Sequence, residues 1–193
     1  MKRISIKIPV VVFLLVTLFV FLPKQKANAW GGGGGQCFDF VTIGGFFFGS
    51  TDGPGRVNFG GNAGFKNGDP PPPLMAHLTV TDHNSGRQIK IDGTSDDGTV
   101  TCYGTGSGDP SDPAFLCRRL TGRATSTLGN VTTTGTFQCT ICDFGEPGKD
   151  SDLFGIRVFN SAGTLIYDTD LRKLAGGNAQ LHKPCSDPTP GCF

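Results

Sequence analysis

The chain has 193 residues, of which 37% are hydrophobic and 17% are charged, and its formal charge at pH 7 is +1. The first 29 residues carry five of the 17 Lys and Arg and none of the 16 Asp and Glu. The remainder therefore has 12 basic and 16 acidic residues, about −4 overall. This mildly acidic composition argues against nucleic acid or an anionic membrane as the main partner, because both require a concentrated basic face.

The N-terminus has the organisation of a secretion signal. A basic start, residues 1–9, precedes an apolar stretch from Val10 to Leu22, which as a helix reaches about 20 Å and falls short of the roughly 30 Å hydrocarbon core of a bilayer. Ala27-Asn28-Ala29 then supplies the small residues that a signal peptidase recognises. We predict a cleaved signal peptide over residues 1–29 and export to the cell surface, the extracellular space or the periplasm. Two lysines near the cleavage site leave an uncleaved anchor as the alternative.

The exported part has the pattern of a single β domain. Residues 30–36 form a glycine-rich, flexible leader. Residues 37–185 alternate segments rich in Thr, Val, Ile and Phe with Gly, Pro, Asp and Asn, as in antiparallel all-β domains, and residues 186–193 form a short tail. Strands are predicted over residues 38–48, 56–66, 74–82, 87–92, 98–105, 115–127, 130–142, 152–159, 164–168 and 177–182. We expect an all-β fold, an antiparallel sandwich or barrel of about eight to ten strands with disulfides.

All seven cysteines lie in the exported part, where the redox environment permits disulfides. The candidates are Cys37, Cys102, Cys117, Cys139, Cys142, Cys185 and Cys192. An odd number leaves one thiol that is either buried or joins two chains into a covalent homo-oligomer. Cys102 and Cys117 bracket a long loop and form one candidate pair. Cys185 and Cys192 form another, and either of these two is alternatively a partner for Cys37. Cys139 and Cys142 have the spacing of a metal or redox motif, but residues three apart on a strand face opposite sides, which favours separate structural disulfides.

An acidic turn offers a tentative calcium site. Asp143, Glu146, Asp150 and Asp152 gather four carboxylates within ten residues, and calcium prefers such hard oxygen ligands. The spacing fits no standard calcium loop, so a solvated hairpin turn is the competing interpretation.

Histidine is scarce in this chain. Only His77, His83 and His182 are present. His83 and His182, together with Asp82, form a second candidate site if their strands are neighbours. The alternative is that these side chains make hydrogen bonds that hold turns at strand ends.

The sequence shows no catalytic constellation. The segment from Gly104 to Gly108 lacks the glycine and the helix that a nucleophile elbow needs. Glu146 is the only glutamate, so a glycosidase with two carboxylates would have to use aspartates. We therefore predict no catalytic residues and treat a secreted hydrolase as the third interpretation.

Three segments, taken in order, resemble a known family. They are LMAHLTVTDHNSG at Leu74–Gly86, DFGEPGKDSDLFGI at Asp143–Ile156, and the stretch from Leu165 to Lys183 that ends in AGGNAQLHK. Together they resemble the small secreted β domains of bacteria called post-COAP domains, over roughly Val57 to Lys183. The resemblance implies an extracellular β domain without established enzymatic activity. The number of cysteines departs from that family.

These observations favour an exported, non-enzymatic β domain that acts as a structural or interaction module. Its partners would be surface or matrix proteins or glycans, and no cofactor is expected unless the acidic turn binds calcium. A calcium- or glycan-binding module is the second interpretation. Calcium-dependent stabilisation distinguishes the calcium form from the others.

Overall fold

A computed structural model describes residues 39–65, 73–107, 109 and 111–182. These residues form one antiparallel sheet of eleven strands. The strands are β1 (Phe40–Ser50), β2 (Gly53–Gly64), β3 (Met75–Asp82), β4 (Arg87–Thr94), β5 (Val100–Thr105), β6 (Cys117–Leu128), β7 (Val131–Cys142), β8 (Leu153–Asn160), β9 (Leu165–Asp168), β10 (Arg172–Lys173) and β11 (Gly176–His182). A short 3-10 helix, Pro113–Leu116, precedes β6. The all-β, antiparallel fold expected from the sequence is confirmed.

The sheet folds into two layers joined at one corner. Its main path runs β10-β8-β7-β6-β4-β3-β2-β1-β11, with β5 paired to β6 and β9 paired to β8. The corner is short, because only residues 88–90 of β4 pair with β6. Beyond it β4 pairs with β3 alone, and residues 118–122 of β6 pair with β5 instead. The first layer is thus β11, β1, β2, β3 and β4, and the second contains β5 to β10.

The core lies between these layers. Alternate residues are buried in the longer strands, and in β3 they are Ala76, Leu78 and Val80, as the sequence pattern predicts. Phe59 of the first layer stacks on Phe154 of the second with ring centroids 4.4 Å apart, and Phe47 lies 6.0 Å from Phe154. These aromatic contacts stabilise the packing of layer on layer.

Opposite the corner, turns rather than strand pairing connect the layers. The Thr51 N–H donates to the Asp168 carbonyl at 2.8 Å, and the Ala175 N–H donates to the Phe46 carbonyl at 2.9 Å. The sheet is therefore an unclosed sandwich whose open side is covered by its own loops.

All ten predicted strands are present with similar bounds. The two-residue strand β10 and the 3-10 helix were not predicted, because each is too short to show a periodic pattern. The helix begins where Asp112 Oδ1 accepts from the Ala114 N–H at 2.8 Å.

In the part of the chain that the structure describes, no helix has the length and hydropathy of a membrane span. The predicted signal peptide, the glycine leader and the C-terminal tail lie outside the described residues.

The presence of disulfides is confirmed, but one predicted pairing of the cysteines is wrong. Cys117 is bonded to Cys142 across β6 and β7, and their Cα atoms are 4.0 Å apart. Cys102 is also in a disulfide, so the predicted pair of Cys102 with Cys117 is wrong. Cys139 is a free thiol that faces the core. Burial raises the pKa of this thiol far above its usual range, so it is neither ionised nor accessible as a nucleophile. Cys37, Cys185 and Cys192 lie outside the described residues.

A buried ion pair joins the residue before β1, Asp39, to Arg118 of β6. Arg118 and Asp39 are both almost completely buried, and the Arg118 Nε lies 2.8 Å from each carboxylate oxygen of Asp39. Arg118 also donates to the carbonyls of Phe115 and Cys117, and the Tyr103 hydroxyl donates to Asp39 at 3.0 Å. Burial, followed by the negative charge of Asp39, raises the pKa of Tyr103 well above its usual value.

Candidate functional site

The acidic turn caps the free edge of β11. Asp152 is fully buried, and its two carboxylate oxygens accept from the N–H groups of Phe144 at 2.9 Å and Ala179 at 2.8 Å. Asp143 Oδ2 accepts from the Leu181 N–H at 2.8 Å. The N–H groups of Ala179 and Leu181 belong to β11 and point away from β1. Carboxylates of the turn therefore accept the hydrogen bonds that a neighbouring strand would otherwise accept.

This geometry leaves little room for a cation among the predicted calcium ligands. Glu146 Oε1 accepts from the Asn178 side-chain amide at 2.7 Å. A Cβ atom added to Gly148 would collide with Asp152 Oδ2 and Asn178 Oδ1, so the Gly148 Cα already fills the space beside these oxygens. Among the described side chains, no three His, Cys, Asp or Glu are grouped so that they could hold one metal ion. The calcium interpretation stays a prediction, and the described contacts of three of its four residues are with N–H donors.

The second predicted site does not assemble. His182 is paired with Phe40 at the first residue of β1, whereas the His83 N–H bonds to Arg56, which is opposite Phe48 near the end of β1. Eight residues of extended strand separate these positions by about 26 Å. The condition for convergence of His83 and His182 is not met, because β1 and β2 lie between β3 and β11 and the two histidines are near opposite ends of these strands.

Asp82 instead belongs to a polar network inside the sandwich. The hydroxyls of Ser50 and Tyr167 both donate to Asp82 Oδ2, the latter at 3.0 Å, and the Asn84 N–H donates to Oδ1 at 2.8 Å. Burial, followed by the negative charge of Asp82, raises the pKa of Tyr167 above its usual range. The network fixes the β3–β4 turn against β1 and β9, which is the role of a structural polar cluster.

A neighbouring ion pair extends this network. Arg87 Nε lies 2.7 Å from Asp52 Oδ2, the Ser85 hydroxyl donates to the same oxygen at 2.7 Å, and Arg87 reaches Ser126 on β6. Burial opposes ionisation of Asp52, but the bonds from Arg87 and Ser85 outweigh it and lower the pKa of Asp52. The pair therefore holds the β1–β2 turn, the β3–β4 turn and the corner together.

The outer face of the first layer carries the candidate site. Directly opposed residues on five neighbouring strands form one row of hydrogen-bonding side chains: Gln180, Thr42, Asn62, His77 and Asp92. Strands lie about 4.8 Å apart, so the row extends about 19 Å. His77 Nδ1 and Asp92 Oδ1 are 2.5 Å apart, and the His182 Nε2 lies 3.0 Å from the Thr42 hydroxyl. We call these five residues the polar row.

Beside the polar row, two glycines open a trough. Gly44 and Gly60 are directly opposed on β1 and β2. A Cβ atom added to Gly44 would have no neighbour within 4 Å, and one added to Gly60 would meet only the Ile43 carbonyl at 3.9 Å. The Thr79 hydroxyl donates to the Gly60 carbonyl at 3.3 Å and marks the end of the trough toward β4. Backbone therefore forms the floor of this trough.

The wall opposite the polar row is an ordered aromatic and amide pair. Phe46 and Asn58 are the next opposed residues on the outer faces of β1 and β2. The Arg56 guanidinium lies 3.8 Å from the centre of the Phe46 ring, and Arg56 Nε donates to Asn58 Oδ1 at 2.7 Å. Phe48, which is 56% exposed, packs edge-on against Phe46. These contacts hold the wall in place before any ligand arrives.

Gly44 and Gly60 are each followed by a second glycine, Gly45 or Gly61, which has a different role. A Cβ atom on Gly45 would collide with the Gly176 carbonyl, and one on Gly61 would collide with the His77 carbonyl. Gly45 and Gly61 are therefore required by packing, whereas the open space above Gly44 and Gly60 has no such explanation. Glycines inside strands do signal a close approach by backbone or ligand, but the sequence does not reveal that two of them are opposed.

Comparison with models of protein families, with curated proteins and with solved structures found no match.

Proposed function

We propose that this chain is an exported, non-catalytic binding module that holds a polysaccharide in the trough between the polar row and Phe46. The observation that carries the proposal is the pair of opposed glycines, Gly44 and Gly60, whose open outer side serves no packing contact. The partner with which this module interacts is thus a glycan.

The chemistry of the walls supports a polyhydroxylated ligand. Thr42, Asn62 and Gln180 present hydroxyl and amide groups that donate and accept hydrogen bonds. Phe46 offers the ring face that Arg56 does not cover to the apolar C–H face of a sugar. Ligand sites commonly combine an apolar surface with a few oriented polar groups.

The roles of the reactive side chains support a non-catalytic module. The hydroxyl of Ser50 is bonded to a carboxylate, the thiol of Cys139 is buried, and the carboxylates of Asp143 and Asp152 accept backbone N–H bonds. Each of these groups has a structural task, which leaves it unsuited to act on a substrate.

A valine at position 44 tests the trough. Gly44 has open space for a side chain and lies in a strand, where valine is favourable, so Gly44→Val fills the trough without disturbing the fold. In affinity electrophoresis with glucuronoxylan, mixed-linkage β-glucan, galactomannan and dextran, we expect at least one to retard the mature protein, and Gly44→Val to weaken that retardation at least about ten-fold.

The matched control is Thr164→Val, an exposed position before β9 and outside both the trough and its continuation toward β6 and β7. We expect this variant to bind as the original chain does. Equal retardation of Gly44→Val and the original chain would contradict the proposal, as would failure of all four polysaccharides to retard the original chain.

Export is the second part of the proposal. The basic start, the apolar stretch and the small residues before Trp30 support cleavage after Ala29. The intact mass of protein recovered after secretion by a bacterial host should correspond to a chain that begins at Trp30. A recovered chain that retains Met1 would contradict cleavage.

The resemblance to post-COAP domains stays a prediction. It is compatible with the proposed function, since such domains are expected outside the cell, but the trough is argued from the geometry of this chain alone.

A further inference from the structure

A second cavity opens on the same outer face, where β4 separates from β6. Lys90 is the last residue of β4 that pairs with β6, opposite Thr125. The Arg123 N–H bonds to the Thr99 carbonyl at 2.7 Å, after β6 has left β4. The gap is a cavity of about 350 Å³, which we call the fork cavity. Its polar lining consists of Lys90, Asp92, Thr99, Arg123, Thr125 and Thr134.

The lining is suited to one anionic group. It contains two cations, one carboxylate and three hydroxyls, and the Asp97 carboxylate lies close enough to Arg123 to interact with its charge. Lys90 Nζ lies 3.0 Å from Asp92 Oδ2, and Asp92 is shared with His77. Arg123 donates through Nη2 to the Asp97 carbonyl, which holds its guanidinium beside the cavity, and this group is well shaped to bind a carboxylate.

The fork cavity lies on the same line of residues as the trough. Opposed residues continue from Gly44 and Gly60 through Thr79 to Lys90, and then to Thr125 and Thr134. From Gly44 to Lys90 this line crosses three strand spacings, about 14 Å. One extended ligand can therefore occupy both places.

We propose that the fork cavity binds the carboxylate of a uronic acid, so that the ligand of this face is an acidic polysaccharide with isolated uronate residues. The identity of the polymer rests on the proposed function, whereas the uronate site is argued from the cavity itself. The net charge of about −4 disfavours a dense polyanion. A single carboxylate is compatible with it, because charges more than about 8 Å away are largely screened at physiological ionic strength.

Small probes test the fork cavity independently of the trough. Backbone amide NMR shifts of the mature protein should be followed during titration with sodium glucuronate, glucose and sodium acetate. We expect glucuronate to shift the amides of Thr125 and Thr134 at lower concentration than glucose or acetate does. Arg123→Gln and Lys90→Gln should each weaken the glucuronate response about ten-fold, the size expected for one charge-assisted hydrogen bond.

Arg157→Gln is the matched control. Arg157 is an exposed cation paired with Asp168 on the outer face of the second layer, as Lys90 is paired with Asp92 on the first, and its loss should leave the response unchanged. An equal response to glucuronate and glucose would overturn the proposal. Equal responses to glucuronate and acetate would reveal a site for any small anion and would also overturn it. Unchanged titrations of both Arg123→Gln and Lys90→Gln would do the same.

The two proposals fail in different ways. Gly44→Val should weaken polysaccharide binding at least about ten-fold and leave the glucuronate shifts at Thr125 and Thr134 intact. Loss of the polysaccharide result with retention of these shifts would remove the trough and keep the uronate site. Retention of polysaccharide binding, with loss of the glucuronate shifts at Thr125 and Thr134, would support the trough and contradict the uronate site.

Discussion

Replacing Arg118 by methionine should lower the free energy of unfolding by about 3–5 kcal/mol. The change leaves the Asp39 carboxylate buried without its cation, and it removes the donors for the carbonyls of Phe115 and Cys117. Chemical denaturation followed by circular dichroism measures the loss, provided that the transition is two-state.

Arg157→Met provides the comparison for this prediction. Its ion pair with Asp168 has a similar length, 3.0 Å, but the Arg157 side chain is 55% exposed. Exposed pairs contribute little, so the expected loss is below about 1 kcal/mol. Similar effects of Arg118→Met and Arg157→Met would show that burial of the Asp39–Arg118 pair does not control its contribution.

Replacing Asp152 by asparagine should lower the free energy of unfolding by about 2–3 kcal/mol. The two carboxylate oxygens accept from two N–H groups, on Phe144 and Ala179. An asparagine amide can satisfy only one of them, and its NH₂ group then faces the other donor. The free edge of β11 would lose one of its caps, so the amide hydrogens of β11 should exchange faster.

Asp150→Asn is the matched control in the same turn. Asp150 has a positive φ of 66°, a conformation that asparagine tolerates, so the same isosteric change should have little effect there. Calcium titration of both variants adds a test of the tentative calcium site. Stabilisation of the original chain by calcium, lost in Asp152→Asn, would show that the acidic turn binds the ion and would contradict its description as a cap alone.

The strands could be read from the sequence because their signal is local. Each strand buries one face, so a period of two appears directly in segments such as Leu74–Val80 and Phe154–Val158. The disulfides lacked such a signal. Cys117 and Cys142 become neighbours only through the register of β6 on β7, and this register is a property of the assembled hairpin.

The candidate sites were harder to predict because each depends on the order of strands in the sheet. The acidic turn was found from composition, but its role as a cap requires β11 to lie beside it. Gly44 and Gly60 are 16 positions apart in the sequence and directly opposed in the sheet. Arg123 and Lys90 likewise meet at one cavity only because β4 and β6 separate there.

The sequence by itself determined the all-β class, the bounds of most strands and the acidic charge of residues 30–193, because periodicity and composition are properties of neighbouring residues. Tertiary structure decided which carboxylates became caps, which cysteines paired and which glycines stayed open. Those outcomes depend on contacts between residues distant in the chain, and such contacts follow from strand order and register.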